Sequence, residues 1–143
     1  MNSLSVRDAE WMATCGLIEY DAAPDEVRAI YDDIRATRKT EYINNFWKAL
    51  AHDPVTLRRT WFSIKEIMRP DGVLDPVVKE MIYVAVSATN GCGYCVASHT
   101  VGARKAGMTD AMFAELMAVV GMANETNRLA TGYQVEIDEV FRV

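Results

Sequence analysis

The sequence predicts an all-α protein, one helical domain of about six or seven helices over residues 1–143. Apolar residues recur at i, i+3, i+4 and i+7 through most of the chain, which is the spacing of an amphipathic helix. The clearest instance comprises Val27, Ile30, Tyr31 and Ile34. The pairs Asp53-Pro54 and Asp75-Pro76 are typical helix starts, with Asp as the cap and Pro in the first turn. Hydrophobic residues make up 50% of the chain, whereas eight Gly and four Pro leave little room for long loops.

The first half of the chain is predicted to carry three of these helices. Pro24 occupies the first helical position of the first one. The apolar stripe of the second lies within residues 43–50, and the third begins at Asp53-Pro54 and ends at residues 69–72, which contain Pro and Gly. Residues 1–20 are predicted to form an N-terminal extension that adds a short helix.

The second half is predicted to carry three more helices. The first begins at Asp75-Pro76 and contains six consecutive apolar residues, 81–86, so we expect it to be central and buried. Asn90-Gly91 ends it. The next helix runs from about 92 to 107, where a Gly can terminate it, and Thr109 caps a last long helix.

Composition and charge exclude several classes of function. The formal net charge is −5, which repels phosphate backbones, so we expect no nucleic-acid partner. We find no signal peptide and no apolar run of about 18 residues, so we expect no membrane segment and a cytoplasmic location. Three cysteines exclude a disulfide-stapled secreted scaffold, and two histidines argue against a His-rich metal site.

Residues 92–99, with the sequence CGYCVASH, carry the candidate chemistry. On a helix Cys92 and Cys95 are neighbours at i, i+3, and His99 lies at i+4 from Cys95, so all three side chains share one face. Cys92 lies near the helix N-terminus, where unpaired N–H groups favour a thiolate. His99 can hold or relay a proton for Cys95. Two thiols and a proton carrier are the parts of a dithiol redox site.

Glu80 is a fourth candidate, on the otherwise apolar helix that precedes the cysteines. Burying a carboxylate is costly unless it is paired. Ser87, at i+7, is the other polar group on roughly the same face. A partly buried carboxylate can serve as a base, and Glu80 joins the site if Asn90-Gly91 folds the two helices side by side.

Other interpretations of the same residues stay open at this point. A CxxC pair is by itself a weak signal, and Cys92, Cys95 and His99 with Glu80 are also potential zinc ligands. A non-catalytic redox sensor or assembly module, whose disulfide changes oligomeric packing, is a further alternative. Cys15 has no partner nearby in the sequence and is interpreted as an ordinary buried thiol. No cofactor fingerprint is present, so we expect no cofactor.

The pattern of Glu80, Cys92-x-x-Cys95, His99 and Gly107 resembles the AhpD-like alkylhydroperoxidase branch of the carboxymuconolactone decarboxylase family. The resemblance is strongest over about residues 75–127, and the helices before that range look like those of peroxidase-related members. It implies an all-helical fold that assembles as trimers or hexamers. The decarboxylase branch lacks the cysteine pair, so we do not expect a lactone decarboxylase.

The resemblance also implies a role for each site residue. Cys95 resembles the peroxidatic cysteine, Cys92 the resolving cysteine, and Glu80 and His99 the proton-relay pair. The implied activity is thiol-dependent reduction of alkyl hydroperoxides. Cys95 is oxidised to a sulfenic acid, and Cys92 then closes the disulfide. An external dithiol, lipoyl-linked or thioredoxin-like, restores both thiols.

The sequence departs from the prototypical peroxidase at Tyr94, where that enzyme has His directly before the second cysteine. Tyr is neutral near pH 7, so it does not replace a relay His one for one. We interpret Tyr94 as the mark of a subfamily. Tyr94 and Ser87 are retained as secondary site residues.

Overall fold

The computed structural model describes residues 14–142, which contain six α-helices and no strand, and this confirms the predicted all-α class. The helices are α1 (Asp25–Arg38), α2 (Asn45–Leu50), α3 (Pro54–Ile67), α4 (Pro76–Asn90), α5 (Gly93–Lys105) and α6 (Asp110–Gly132). Short 3-10 turns at Tyr20–Ala22 and Glu139–Phe141 flank them. Most of the segment predicted to add an N-terminal helix lies outside the described residues.

The chain divides into two compact units, Met1–Ile67 and Met68–Val143. Helices α1 to α3 belong to the first unit, and α4 to α6 belong to the second. The single domain over residues 1–143 stays a prediction.

The first unit has a well-packed apolar core formed by one face of each helix. Its largest fully buried side chains are Val27, Tyr31, Ile34, Trp47, Leu57 and Trp61. The rings of Trp47 and Trp61 meet edge to face with their centroids 5.4 Å apart, an arrangement that aromatic rings favour. The Tyr31 hydroxyl donates a hydrogen bond of 2.9 Å to the Ile18 carbonyl, and burial raises the pKa of Tyr31 to about 12. The apolar period of the sequence therefore identified the faces that form this core.

A polar network at the edge of this core joins α1 to α3. The carboxylate of Asp33 accepts a hydrogen bond of 2.6 Å from the Trp61 indole and bonds of 2.8 Å from the Lys65 ammonium. These bonds, with that of Lys65 first, lower the pKa of Asp33 below its usual value of 3.8. The ionised carboxylate therefore stabilises the fold above pH 3.8, and that contribution is lost as the pH falls through the lowered pKa.

Of the three predicted helix starts that contain Pro, one is confirmed by the structure and two differ from it in detail. At α3 the prediction is confirmed, because Asp53 accepts from the Val55 N–H and the Thr56 hydroxyl. Pro76 is the first residue of α4 as predicted, but the Asp75 side chain makes no capping hydrogen bond. Pro24 stands one residue before α1, at the cap position.

The second unit has α4 between α5 and α6, and the prediction that α4 is buried on all sides is wrong. Only Val84 and Ser87 of this helix are buried, whereas Ile82 is 48% and Val86 53% exposed. The two neighbouring helices cover part of its circumference and leave the rest open. Apolar content indicates what a helix must bury, but it does not say whether the same chain covers it.

Two predicted helix boundaries in the second unit, the end of α5 and the start of α6, are confirmed. Gly107 adopts a φ of 110° just after α5, a left-handed conformation that favours Gly, and the Met108 N–H bonds to the Ala103 carbonyl. The Thr109 hydroxyl caps α6 by accepting from the Met112 N–H at 3.1 Å. No helix among residues 14–142 combines the length and the apolar character that a membrane crossing requires.

Candidate redox site

Cys92 and Cys95 form a disulfide at the start of α5, with their Cα atoms 5.3 Å apart. Cys92 is the N-cap residue of the helix, and its Sγ accepts the backbone N–H of Cys95 at 3.2 Å. The i, i+3 spacing therefore does bring the two sulfurs together. It also places the Cys92 sulfur at the helix N-terminus, where the dipole and an N–H donor favour negative charge.

A tight turn places α5 beside α4. Gly91 adopts a φ of 73°, which a side chain would make unfavourable, and the Cys92 N–H then donates to the Ser87 carbonyl at 2.9 Å. Ser87 is 5% exposed. This predicted secondary residue thus lies at the site and anchors the first cysteine through its backbone.

Glu80 and His99 meet across the two helices. The Nδ1 atom of His99 lies 2.7 Å from Oε2 of Glu80, and the side chains are only 18% and 21% exposed. An ionised carboxylate only accepts, so Nδ1 donates and carries the proton. The Nε2 atom is then the ring nitrogen that can exchange a proton with another group.

Tyr83 and Gly102 lie against the Glu80–His99 pair, and neither was predicted from the sequence as a site residue. The ring of Tyr83 stacks on the His99 imidazole, with centroids 3.8 Å apart and planes inclined by 15°. At Gly102 an added Cβ would lie 2.8 Å from the Glu80 carboxyl carbon. Tyr83 stands at i+3 from Glu80, and Gly102 at i+3 from His99, so each shares a helix face with a predicted residue. That spacing was the available signal, but it does not say which residues meet across two helices.

Cys15 and Tyr94 are both accessible. Cys15 is exposed, so the prediction of a buried thiol is wrong. It precedes the Tyr20–Ala22 turn and does not belong to the apolar core of the first unit. Tyr94 is 47% exposed in the first turn of α5.

The zinc interpretation needs both cysteines as thiolates. Within residues 14–142 no group of three or more His, Cys, Asp and Glu side chains is arranged to hold a metal ion. The sulfurs of Cys92 and Cys95 are bonded to each other, and His99 is directed to Glu80. The structure therefore describes the cysteine pair in its oxidised, disulfide form.

Comparison with known proteins identifies the class. The model of the carboxymuconolactone decarboxylase family matches residues 56–135, which is more than half of the chain. The chain therefore belongs to this family. The matched residues include the whole disulfide site, whereas α1 and α2 lie before them.

Individual relatives agree with this assignment. The chain is similar to the crystal structure of an alkylhydroperoxidase AhpD core from Rhodospirillum rubrum, with a TM-score of 0.88 and 48% identity over 92% of this chain and 98% of that one. An uncharacterised Cupriavidus necator protein is 34% identical over 58% of this chain and 73% of its own length. The alkyl hydroperoxide reductase AhpD of Azorhizobium caulinodans is 28% identical over 66% of this chain and 53% of its own length. The chain spans about half the length of two curated relatives that it matches.

Proposed function

We propose that this protein is a thiol-dependent peroxidase that reduces alkyl hydroperoxides through a Cys92/Cys95 dithiol–disulfide cycle. The observation that carries the proposal is the disulfide at the start of α5, one helical turn from a histidine that hydrogen-bonds to Glu80. The likeness to the crystal structure of an alkylhydroperoxidase AhpD core supports the same activity.

The first step oxidises Cys95. Its thiolate attacks one oxygen of the hydroperoxide, an S–O bond forms, the O–O bond breaks, and the two electrons of the sulfur pass to the peroxide. The alkoxide leaves as an alcohol after it takes a proton. His99 is the proposed relay: its Nε2 takes the proton of the Cys95 thiol and then passes it to the leaving oxygen, while Glu80 holds the opposite edge of the imidazole at Nδ1.

The second step closes the disulfide. The Cys92 thiolate attacks the sulfur of the Cys95 sulfenic acid, the S–O bond breaks, and the hydroxide that leaves takes a proton to become water. The position of Cys92 suits this role, because its sulfur already accepts an N–H at the helix N-terminus. An external dithiol then reduces the disulfide by exchange and is itself oxidised. We propose a lipoyl-linked or thioredoxin-like protein as the donor.

Thiol counting after peroxide treatment tests the cycle. We expect a slight excess of alkyl hydroperoxide to remove two thiols from each fully reduced chain, and dihydrolipoamide to restore both. Because Cys15 is exposed and can cross-link chains, Cys15→Ser is the appropriate background, in which both remaining thiols should disappear. Unchanged thiols at peroxide concentrations that oxidise a true peroxidase, or no turnover with dihydrolipoamide, thioredoxin or glutathione, would contradict the proposal.

We also propose that the chain forms a homo-oligomer, a trimer or hexamer as its resemblance implies. The second unit leaves apolar side chains of α4 and α6 exposed, among them Ile82, Val86, Val119 and Met122. Removing such surface from water is favourable by about 25 cal/mol per Å². This open face is the best candidate for a contact between copies.

Light scattering during size-exclusion chromatography tests the assembly. We expect a mass three or six times the 16.0 kDa of one chain for wild type, and a smaller species for Val86→Lys. Val55→Lys is the matched control, since Val55 is 74% exposed but lies on α3 in the other unit. A 16.0 kDa wild-type species would reject the proposal.

A further inference from the structure

We propose that Tyr83 is a positioning residue that, with the absence of a side chain at Gly102, holds the Glu80–His99 pair in one orientation and keeps the His99 proton on Nδ1. The inference rests on the proposed function only for its catalytic consequence. The geometry of the pair can be tested without any turnover.

The Tyr83 ring limits the rotation of the His99 imidazole. A hydrogen bond at one nitrogen restrains the ring but still allows it to turn about the Cβ–Cγ bond of the side chain. Tyr83 lies parallel to the His99 ring at 3.8 Å, which blocks that rotation. The bond to Glu80 and the contact with Tyr83 together therefore define where Nε2 points.

The absence of a side chain at Gly102 leaves the space that the Glu80 carboxylate occupies. A Cβ at position 102 would lie 2.8 Å from Cδ and Oε2 of Glu80 and 2.9 Å from Oε1. Real Cβ atoms do not approach other atoms so closely. The carboxylate is the far end of a flexible side chain, so a methyl group at 102 would displace it before it displaced the helices. Displacing the carboxylate would weaken its bond to His99.

The two histidine contacts predict which ring nitrogen of each histidine carries the proton, so that His52 serves as an internal reference for His99. His52 is the other histidine, and its Nε2 lies 2.5 Å from the Gly16 carbonyl oxygen. A carbonyl only accepts, so His52 carries its proton on Nε2, whereas His99 carries it on Nδ1. The two neutral rings should therefore give opposite patterns in one spectrum.

Nitrogen-15 correlation spectra of the imidazoles, recorded at a pH where both rings are neutral, test the proposal. We expect the Nδ1–H pattern for His99 in wild type and in Tyr83→Phe, which keeps the stacked ring. In Tyr83→Leu we expect a shift toward mixed tautomers, and Gly102→Ala should shift in the same direction. The His52 pattern should stay unchanged, since His52 lies in the first unit, and helical circular dichroism reports that the variant is folded. An Nδ1–H pattern retained in a folded Tyr83→Leu would overturn the inference.

A second non-aromatic variant and a kinetic measurement complete the test of Tyr83. If Tyr83→Leu loses helical circular dichroism, Tyr83→Met provides a second non-aromatic side chain with the same expected result. The rate of peroxide consumption should fall about tenfold in the non-aromatic variants, mainly in kcat, and recover in Tyr83→Phe. Altered tautomers with no turnover in any form would reject the peroxidase proposal and leave the positioning role intact. Normal turnover and tautomers in the non-aromatic variants would reject the positioning role alone.

Discussion

Replacing Cys95 by Ser is expected to slow single-turnover consumption of an alkyl hydroperoxide by about a thousandfold or more. A serine hydroxyl is not ionised at neutral pH and does not attack an O–O bond, so the variant loses its nucleophile. Stopped-flow mixing of the reduced protein with cumene hydroperoxide, in the Cys15→Ser background, measures the effect directly. The remaining Cys92 thiol should react no faster than an ordinary cysteine.

Cys92→Ser is the matched control for this variant. It should keep the first oxidation at close to the wild-type rate and stop at the sulfenic acid, which dimedone traps on Cys95. The reverse result would exchange the two roles. That competing assignment has a physical basis, because Cys92 is the cysteine whose sulfur accepts an N–H at the helix N-terminus.

The second large effect concerns stability. Trp61→Ala is expected to lower the free energy of unfolding by about 3–5 kcal/mol, the usual cost of truncating a buried aromatic side chain. Trp61 is 1% exposed, contacts the ring of Trp47 and donates its indole N–H to Asp33. Urea unfolding followed by circular dichroism measures the change.

Trp61→Phe separates the apolar and polar parts of that effect. It keeps most of the ring contact but leaves Asp33 without the indole donor, so we expect a smaller loss of about 1–3 kcal/mol. One of the two donor groups whose hydrogen bonds lower the pKa of Asp33 is then missing, so this variant should lose less stability than wild type on acidification below pH 3.8. An Ala variant within about 1 kcal/mol of wild type would show that Trp61 does not anchor this core.

Much of the site could be predicted because its spacing is local. Cys92, Cys95 and His99 lie within two turns of one helix, so the helical period alone places them on one face. Glu80 stood out as a carboxylate in an apolar helix, and the structure pairs it with His99. The catalytic roles of these residues remain predictions.

Features that depend on contact between helices could not be predicted from the sequence. The stacking of Tyr83 on His99 follows from how α4 and α5 pack, and an apolar run does not encode which side chains face each other. The exposure of Val86 has the same origin. Its hydrophobicity favours burial, but it does not show which surface covers the side chain. The exposure of Cys15 follows from where the chain lies before α1.

The capping role of Cys92 has a practical consequence for studying the protein. Serine is among the most favourable residues at a helix N-cap, so a serine at this position can accept the same N–H that the sulfur accepts. The substitution then removes the ability to form a disulfide while α5 keeps its first turn. An alanine removes both properties at once. In the Cys15→Ser background, Cys92→Ser is therefore suited to prepare a structurally intact form that cannot close the disulfide and in which the Cys95 thiol can be studied alone.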